Sequence, residues 1–358
     1  MFLNQFLFFV FRSHVLVVWD YKNHRQYEFN AAYVKRLLEI VENPKSFDEE
    51  NPMDLDLLNN GILLKEETSP EYWGWDDLSK IFHVGTKDIP CETFPKNRKE
   101  WADLYYRHCE SLMMKPVEVA RTRNFGSNGA YTFGEVFLEG GSVFDVGLNE
   151  ALINRKTCRV FERKAVLLED LTSILYLAFG YLKERKNDAG EFVPVGFCSR
   201  RSSPSGGGLN ASEVYIYVGN VEGVASGIHY YNPDTHSLIF MCALPEALGE
   251  FLEGQHFIND IPFGVFLTSR FDKMWWKYEH SRAYRVSILD IGHLSQTFQL
   301  VATAAGLKTW LTAALTDAKI EKLLGLSGLS EQPMLFVGAG YSGGDVFSEE
   351  LKVLLRGD

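Results

Sequence analysis

Three short segments of this 358-residue chain combine residue types that can bind a charged ligand or move protons. The first, residues 155–159, places three cations and a hydroxyl within five positions. Because arginine forks match the oxygens of a phosphate group, it is a candidate phosphate site, although a solvated run of surface charge shows the same pattern. The second, residues 202–208, contains Pro204, Ser205 and three glycines. Glycine lets backbone N–H groups approach a ligand closely, which predicts a binding loop; a flexible surface loop is the alternative.

The third segment is a lysine–tyrosine pair, Lys277 and Tyr278, which follows Trp275 and Trp276 directly. Adjacent tryptophans favour a partly dry environment, in which the pKa of a lysine falls and its amine can act as a base. A lysine that extends across an aromatic patch to reach water is the alternative interpretation. The nine histidines show no HExxH or comparable spacing, and the chain has no GxSxG motif, so we predict no metal site and no serine nucleophile.

The composition is that of a globular protein, and it argues against several functions. Hydrophobic residues make up 46% of the chain, and the formal net charge is -11. A nucleic-acid binder needs positive charge to displace phosphate counterions, so we predict no nucleic-acid partner. The five cysteines are widely spaced and form no CxxC motif, which predicts a reduced, cytoplasmic protein. The apolar residues 1–11 are too few to span a membrane, so we interpret them as a buried strand.

The elements that must position these segments follow from the hydrophobic periodicity. Residues 1–70 predict strand, strand, helix, helix and strand, with Asn30 as the first N-cap; this order indicates a winged-helix-like module. Such a module would bind a peptide or a partner, or would serve as a structural cap. Residues 71–145 are predicted to connect it to an α+β domain over residues 146–358. In that domain the almost uncharged run near 290–305 predicts a long helix for a core or a subunit interface.

Taken in order, the segments resemble the SagB-type subgroup of the FMN-dependent nitroreductase superfamily, from about residue 150 to residue 345. An RxSxR-like phosphate motif, a proline–serine–glycine loop and the Lys277–Tyr278 pair carry the resemblance. Ala211 stands where many members have a proline, a departure on the substrate side of the loop. The positions that match the family's flavin-binding residues are Arg155, Thr157, Arg159, Pro204, Ser205, Gly206, Gly207, Gly306 and Leu307.

The resemblance implies a nitroreductase-like α+β fold, with a mixed sheet flanked by helices and FMN bound where two subunits of a homodimer meet. It also implies a dehydrogenase that oxidises thiazoline and oxazoline rings in ribosomally made peptides, with a cyclodehydratase as partner. In that reaction Lys277 or Tyr278 takes a proton from the ring, and hydride leaves the adjacent carbon for the flavin. The N-terminal module would then bind a leader peptide or the partner enzyme.

Two other functions remain open at this stage. One is an NAD(P)H-dependent flavin reductase that acts on nitro, quinone or dehydroamino-acid substrates. The other is a flavin-binding scaffold without activity in a biosynthetic complex. The lysine–tyrosine pair favours the peptide dehydrogenase, because a simple nitroreductase needs no protein base.

Overall fold

The computed structural model describes residues 1–68, 76–86, 107–108, 110–112, 114–115, 134–185, 198–348 and Lys352. The chain divides into two compact units. The first comprises Met1–Phe94 with His280–Arg282, and the second comprises Pro95–Glu279 with Ala283–Asp358. Among the described helices, none has both the length and the apolar character that a membrane crossing requires.

The first unit contains two small antiparallel sheets, one of three strands and one of two. Its strands are β1 (Phe2–Leu3), β2 (Leu7–Arg12), β3 (Val15–Asp20), β4 (Arg25–Phe29) and β5 (Leu63–Leu64). Strands β2, β3 and β4 form a meander, and β1 pairs with β5. The apolar start of the chain is therefore extended, as predicted, but the expected burial is wrong. Strand β2 lies at the edge of its sheet, and Phe11 is 77% exposed.

Three helices complete the described part of this unit: α1 (Ala31–Glu42), α2 (Pro52–Asn59) and α3 (Asp77–Gly85). Asn30 caps α1 as predicted, because its side chain accepts hydrogen bonds from the backbone N–H groups of Ala32 and Tyr33. Strands β1 and β4 add to the predicted order of elements. The winged-helix-like character of this module remains a prediction.

The second unit is built on a seven-stranded sheet with the order β11-β12-β10-β7-β8-β9-β6. Its strands are β6 (Glu135–Phe137), β7 (Ser212–Val218), β8 (Gly227–Asn232), β9 (Ser237–Cys242), β10 (Phe263–Arg270), β11 (Lys308–Thr312) and β12 (Glu331–Gly340). Neighbouring strands are antiparallel, and the described parallel pairings are two isolated bridges, Thr157 with Thr309 and Val166 with Val221. Strand β6 lies at one edge of the sheet, and β8 and β9 form a hairpin.

Helices cover both faces of this sheet, because β7 is apolar on both sides. Val214 and Ile216 point into one core cluster, and Tyr215 and Tyr217 point into the other. Among the described residues of this unit, the α-helices of seven or more residues are α4 (Leu148–Asn154), α5 (Leu168–Phe179), α6 (Phe271–Lys277), α7 (Ala283–Ala304) and α8 (Asp317–Leu324). The first cluster includes residues of α5 and α7, and the second includes residues of α8. The predicted long helix is α7.

The register of the central strands separates two ends of the sheet. Glu331 at the start of β12 pairs with Arg270, whereas Gly340 at its end pairs with Lys308. We call these the Glu331 end and the Gly340 end. At about 3.3 Å per residue, they lie roughly 30 Å apart along β12.

Candidate active site

A buried carboxylate holds the glycine-rich loop. Asp290 of α7 accepts hydrogen bonds from Ser205 Oγ at 3.0 Å and from the backbone N–H of Gly206 at 3.0 and 3.2 Å. Ser205 Oγ in turn accepts from the N–H of Asn210 at 3.0 Å. Asp290 is only 5% exposed. Burial raises the pKa of its carboxyl, and the bonds from Gly206 and Ser205 oppose this rise.

The lysine–tyrosine pair lies directly against this loop. Gly207 has φ of +61°, and a Cβ atom there would lie 2.4 Å from Tyr278 Oη and 2.8 Å from Lys277 Nζ. Lys277 Nζ donates a hydrogen bond to the Gly207 carbonyl oxygen at 3.1 Å. Only glycine combines this backbone conformation with the space that the two side chains occupy. The fold therefore brings together two candidate segments that are 70 residues apart in sequence.

Local packing positions the pair. The N–H of Tyr278 donates to the carbonyl of Met274 at 2.8 Å and so ends α6 against the loop. Met274 is buried in a small apolar cluster, against which Trp276 and Tyr278 also pack. Trp275 is 53% exposed in the single chain. Of the two tryptophans expected to form a dry wall, Trp276 is therefore the one that packs beside the pair.

The cationic segment lies beside strand β11. Thr157 forms a parallel bridge with Thr309, and the N–H of Cys158 donates to the Thr309 carbonyl at 3.0 Å. Arg155 follows the last residue of α4, and Arg159 Nη1 donates to the carbonyl of Val346 at 2.7 Å. All three predicted phosphate-binding residues are partly exposed.

Lys308 adds a further cation beside this segment, and it is not among the residues predicted from the sequence. Burial raises the pKa of the Cys158 thiol, and the positive charges of Lys156 and Lys308 act in the opposite direction. The two ammonium groups therefore lie near the thiol. A signal for Lys308 was present in the sequence, because this residue directly follows Gly306 and Leu307, which match flavin-binding positions of the family.

Gly306 and Leu307 form the turn that leads into β11. Gly306 has φ of +79°, and its N–H donates to the Thr303 carbonyl at 3.0 Å. The N–H of Leu307 donates to Ala302 at 3.0 Å, which closes the C-terminus of α7. The Leu307 side chain is fully buried in the core. These two residues thus place Lys308 at the Gly340 end of the sheet.

The two candidate halves of the site lie at opposite ends of the sheet within one chain. The loop runs into β7 at the Glu331 end, where the N–H of Arg270 donates to Ala211 at 2.6 Å. The cationic segment meets Thr309, which pairs with Ala339 near the Gly340 end. The two segments also contact α7 at different positions. Ser205 and Gly206 bond to Asp290, whereas Thr309 Oγ1, beside Thr157, bonds to Gln299 Oε1 at 3.3 Å.

Asp290 was also missed by the sequence analysis, although a signal was present. It is the only carboxylate in the run from Val286 to Ala304, which is otherwise almost uncharged. A charge in such a helix needs a partner if it is buried. The partner is a loop 84 residues away in sequence, and the helical periodicity contains no information about that contact.

We expect replacement of Asp290 by alanine to lower the free energy of unfolding by about 1–3 kcal/mol, because the donors of Ser205 and Gly206 lose their acceptor. Asp290→Asn keeps one acceptor oxygen and should lose less. Urea unfolding followed by circular dichroism measures the effect, with the exposed Asp234→Ala as matched control. An Asp290→Ala midpoint equal to that of the wild type would contradict this assignment.

Asp290 should also make stability depend on pH. Its folded-state pKa is raised by burial, so the folded carboxyl holds its proton at a pH where the unfolded one has lost it. The contribution of Asp290 to stability should therefore decrease as pH rises from about 3.9 through the folded pKa. Asp290→Asn lacks this decrease, and the difference between the two unfolding curves isolates it.

Comparison with known proteins identifies the family of the second unit. The sequence model of the nitroreductase family matches residues 152–341. A protein of Methanocaldococcus jannaschii named as a nitroreductase is 28% identical over 200 residues, covering 55% of this chain and 91% of that protein.

Two further relatives are named as peptide-processing proteins. Trifolitoxin-processing protein TfxB of Rhizobium leguminosarum bv. trifolii is 29% identical over 178 residues, covering 48% of each chain. Microcin B17-processing protein McbC of Escherichia coli is 28% identical over 144 residues, covering 38% of this chain and 52% of that protein. The matched part thus spans about half the length of these two relatives.

The matched range contains six strands of the central sheet, the long helix α7 and the three segments with candidate chemistry. It also accounts for more than half of the chain. The predicted superfamily and the predicted nitroreductase-like α+β fold are therefore confirmed. The chain belongs to the nitroreductase family.

Proposed function

We propose that this protein is an FMN-dependent dehydrogenase that oxidises thiazoline and oxazoline rings to azoles in a ribosomally synthesised peptide, as part of natural-product maturation. The observation that carries this proposal is the contact of Lys277 and Tyr278 with the Gly207 loop. A flavin reductase has no need of a protein base at this place, whereas ring dehydrogenation must remove a proton. The names of two relatives support a peptide as substrate.

The described residues fit FMN as the cofactor. Glycine at 206 and 207 lets the loop backbone pack closely against Val286 and Tyr278, since a Cβ atom at either position would lie 2.4 Å from one of these side chains. The proposal places the flat ring system of the flavin beside this loop. The FMN phosphate carries about two negative charges, which suit a cluster of arginines and lysine. Arg155, Arg159 and Lys308 are partly exposed around Thr157, although the chain as a whole has a net charge of -11.

We further propose a homodimer in which both subunits line each flavin. Within one chain the loop is held by Asp290 of α7, and the cationic segment lies beside β11, on a separate element. Two copies related by a two-fold axis would combine the loop of one with the cations of the other. Exposed apolar side chains on two contacting helices also favour a subunit interface. These are Leu148, Leu152 and Ile153 on α4, and Ile288 and Leu289 on α7.

Bound FMN would supply the acceptor for the two electrons that leave the ring as hydride. The residues of this chain would handle the proton. The Gly207 carbonyl orients Lys277 Nζ, and Tyr278 Oη lies beside it, so either group can take a proton from a ring carbon placed over the loop. The ring thereby loses one proton and one hydride, and molecular oxygen would reoxidise the reduced cofactor.

An azoline must first be made from a cysteine, serine or threonine residue by cyclodehydration. We therefore propose a cyclodehydratase as partner enzyme, and a leader peptide or this partner as ligand of the N-terminal unit. Neither nucleic acid nor metal has a place in this scheme. Among the described residues, no group of three or more His, Cys, Asp or Glu side chains could hold a metal ion.

The proposal is tested by incubating the FMN-loaded protein with an azoline-containing peptide in air. We expect a mass loss of two hydrogens per ring, with and without added cyclodehydratase. Parallel reactions contain NAD(P)H and a nitro compound or a quinone. Rapid NAD(P)H oxidation without any ring oxidation would instead identify a flavin reductase, and absence of both activities would favour a scaffold.

A further inference from the structure

A buried ion pair connects helix α6 to the centre of the sheet. Lys273 Nζ lies 3.1 Å from Glu213 Oε1, and the two side chains are only 6% and 2% exposed. Arg270 Nη1 lies 3.6 Å from the same oxygen, and Tyr230 Oη donates to Glu213 Oε2 at 2.9 Å. Removing two charges from water costs several kcal/mol per ion, so the pair adds little to stability compared with apolar residues of the same size. The pair is therefore better suited to orienting α6 than to stabilising the fold.

The geometry of α6 shows what the pair can orient. Lys273 and Lys277 are four residues apart, so their side chains lie on the same face of the helix, one turn apart. A helix of seven residues has little stability of its own and depends on tertiary contacts for its orientation. The bond from Lys273 to the sheet fixes the rotation of α6 about its axis, and hence the direction of Lys277.

Further bonds fix the N-terminus of α6. Arg270 binds Asp272 through two parallel bonds of 2.5 and 2.7 Å, and the N–H of Asp272 donates to the Ser330 carbonyl at 3.2 Å. These bonds fix the position of the helix N-terminus beside β12. The rotation of the helix about its axis depends on buried side chains of this first turn, Lys273 bonded to Glu213 and Met274 in the apolar cluster.

Glu213 is also linked to the glycine-rich loop through the chain itself. It is the second residue of β7 and follows Gly207 by six positions. The strand that begins where the loop ends therefore carries the anchor of α6. Loop and helix thus share one rigid reference, because β7 is fully buried between its neighbours.

We propose that Lys273 and Glu213 are positioning residues that hold Lys277 and Tyr278 against Gly207. This inference rests on the proposed function, in which that contact performs the proton transfer. It assigns the buried pair a role in the rate of the chemical step and not in substrate affinity.

Replacement of Lys273 by methionine tests the inference in the FMN-loaded protein. A misplacement of about 1 Å can lower a rate 10²-fold, so we expect kcat for azoline oxidation to fall by roughly tenfold to a hundredfold. KM and the flavin absorbance spectrum should stay near wild-type values. Lys273→Arg, which can still reach Glu213 with a cation, should recover part of the rate. Lys319→Met, which removes an exposed ion pair with Glu246 and Glu250, is the matched control.

A second measurement does not depend on the substrate. The lysines are reductively methylated with ¹³C-formaldehyde, and the Lys277 signal is assigned by its loss in Lys277→Arg. We expect the Lys277 methyl signal at fixed pH to shift in the same direction in Lys273→Met and in Glu213→Gln, because in both variants the amine no longer lies beside the Gly207 carbonyl. The two variants remove charges of opposite sign, so a shift that they share reports displacement. Unchanged kcat together with an unchanged Lys277 signal in a folded Lys273→Met protein would overturn the inference.

The remaining outcomes separate a failure of the proposed function from a failure of the positioning role. If Lys273→Met does not fold, the double variant Glu213→Gln/Lys273→Met removes both charges together and is judged by the same two measurements. If the wild type oxidises no azoline but Lys273→Met still shifts the Lys277 signal, the proposed function fails and the positioning role stands. If the wild type oxidises azolines and a folded variant matches it in both measurements, the positioning role fails alone.

Discussion

Replacement of Lys277 by alanine, or of Tyr278 by phenylalanine, should lower the turnover of an azoline-containing peptide by about 10²-fold or more. The flavin spectrum should remain that of the wild type. The physical reason is that Lys277 Nζ and Tyr278 Oη lie over the backbone of Gly207, where a ring stacked on the loop would present its proton. Without these groups, the proton must be accepted by a water molecule that the protein does not hold in place, and the reaction is slower.

The measurement is the single-turnover rate of ring oxidation, followed by peptide mass, with flavin content determined for each variant. Lys319→Ala serves as matched control, because Lys319 is a cation remote from the loop that pairs with exposed glutamates. Loss of flavin together with activity would make the pair structural. Wild-type rates in both single variants would show that the assigned base is wrong, and the flavin reductase would become the better account.

The second large effect concerns the cationic segment. The double variant Arg155→Ala/Arg159→Ala should weaken FMN binding by about a hundredfold or more, because each charge-assisted bond contributes about 1.5–3 kcal/mol. Fluorescence titration of the apoprotein with FMN measures this affinity. Arg163→Ala is the matched control, since Arg163 lies nearby in sequence, is highly exposed and pairs with Asp260. Wild-type protein that neither carries nor takes up FMN would overturn the cofactor assignment itself.

Mixed dimers then test which chain supplies each half of the site. A chain with Arg155→Ala/Arg159→Ala is co-expressed with a differently tagged Lys277→Ala chain, and the heterodimer is purified through both tags. If cations and loop come from different subunits, one of its two sites is intact, and about half of the wild-type turnover per dimer is expected. A heterodimer as inactive as the two homodimers would place both halves in the same chain. A flavin-loaded monomer by light scattering would exclude the shared site.

The sequence by itself determined those features that depend on local periodicity and on short motifs. Asn30 marks the start of α1, and the long apolar run is α7. Each feature depends on residues within a few positions of one another, and over such short distances the spacing of side chains indicates the backbone conformation directly. The family could be predicted in the same way, because its motifs occur in a fixed order along the chain.

Only the tertiary structure decided which of these segments meet. The contacts of Gly206 with Asp290, of Gly207 with Lys277 and of Glu213 with Lys273 join residues 60 to 84 positions apart. No local pattern encodes such pairs, because the sheet register and the packing of α6 and α7 create them. The same register sends the cationic segment to the far end of the sheet, where the antiparallel pairing of β11 and β12 places it. A charged side chain that is buried by this packing, such as Asp290 or Glu213, needs a polar partner inside the fold, and these long-range contacts supply that partner.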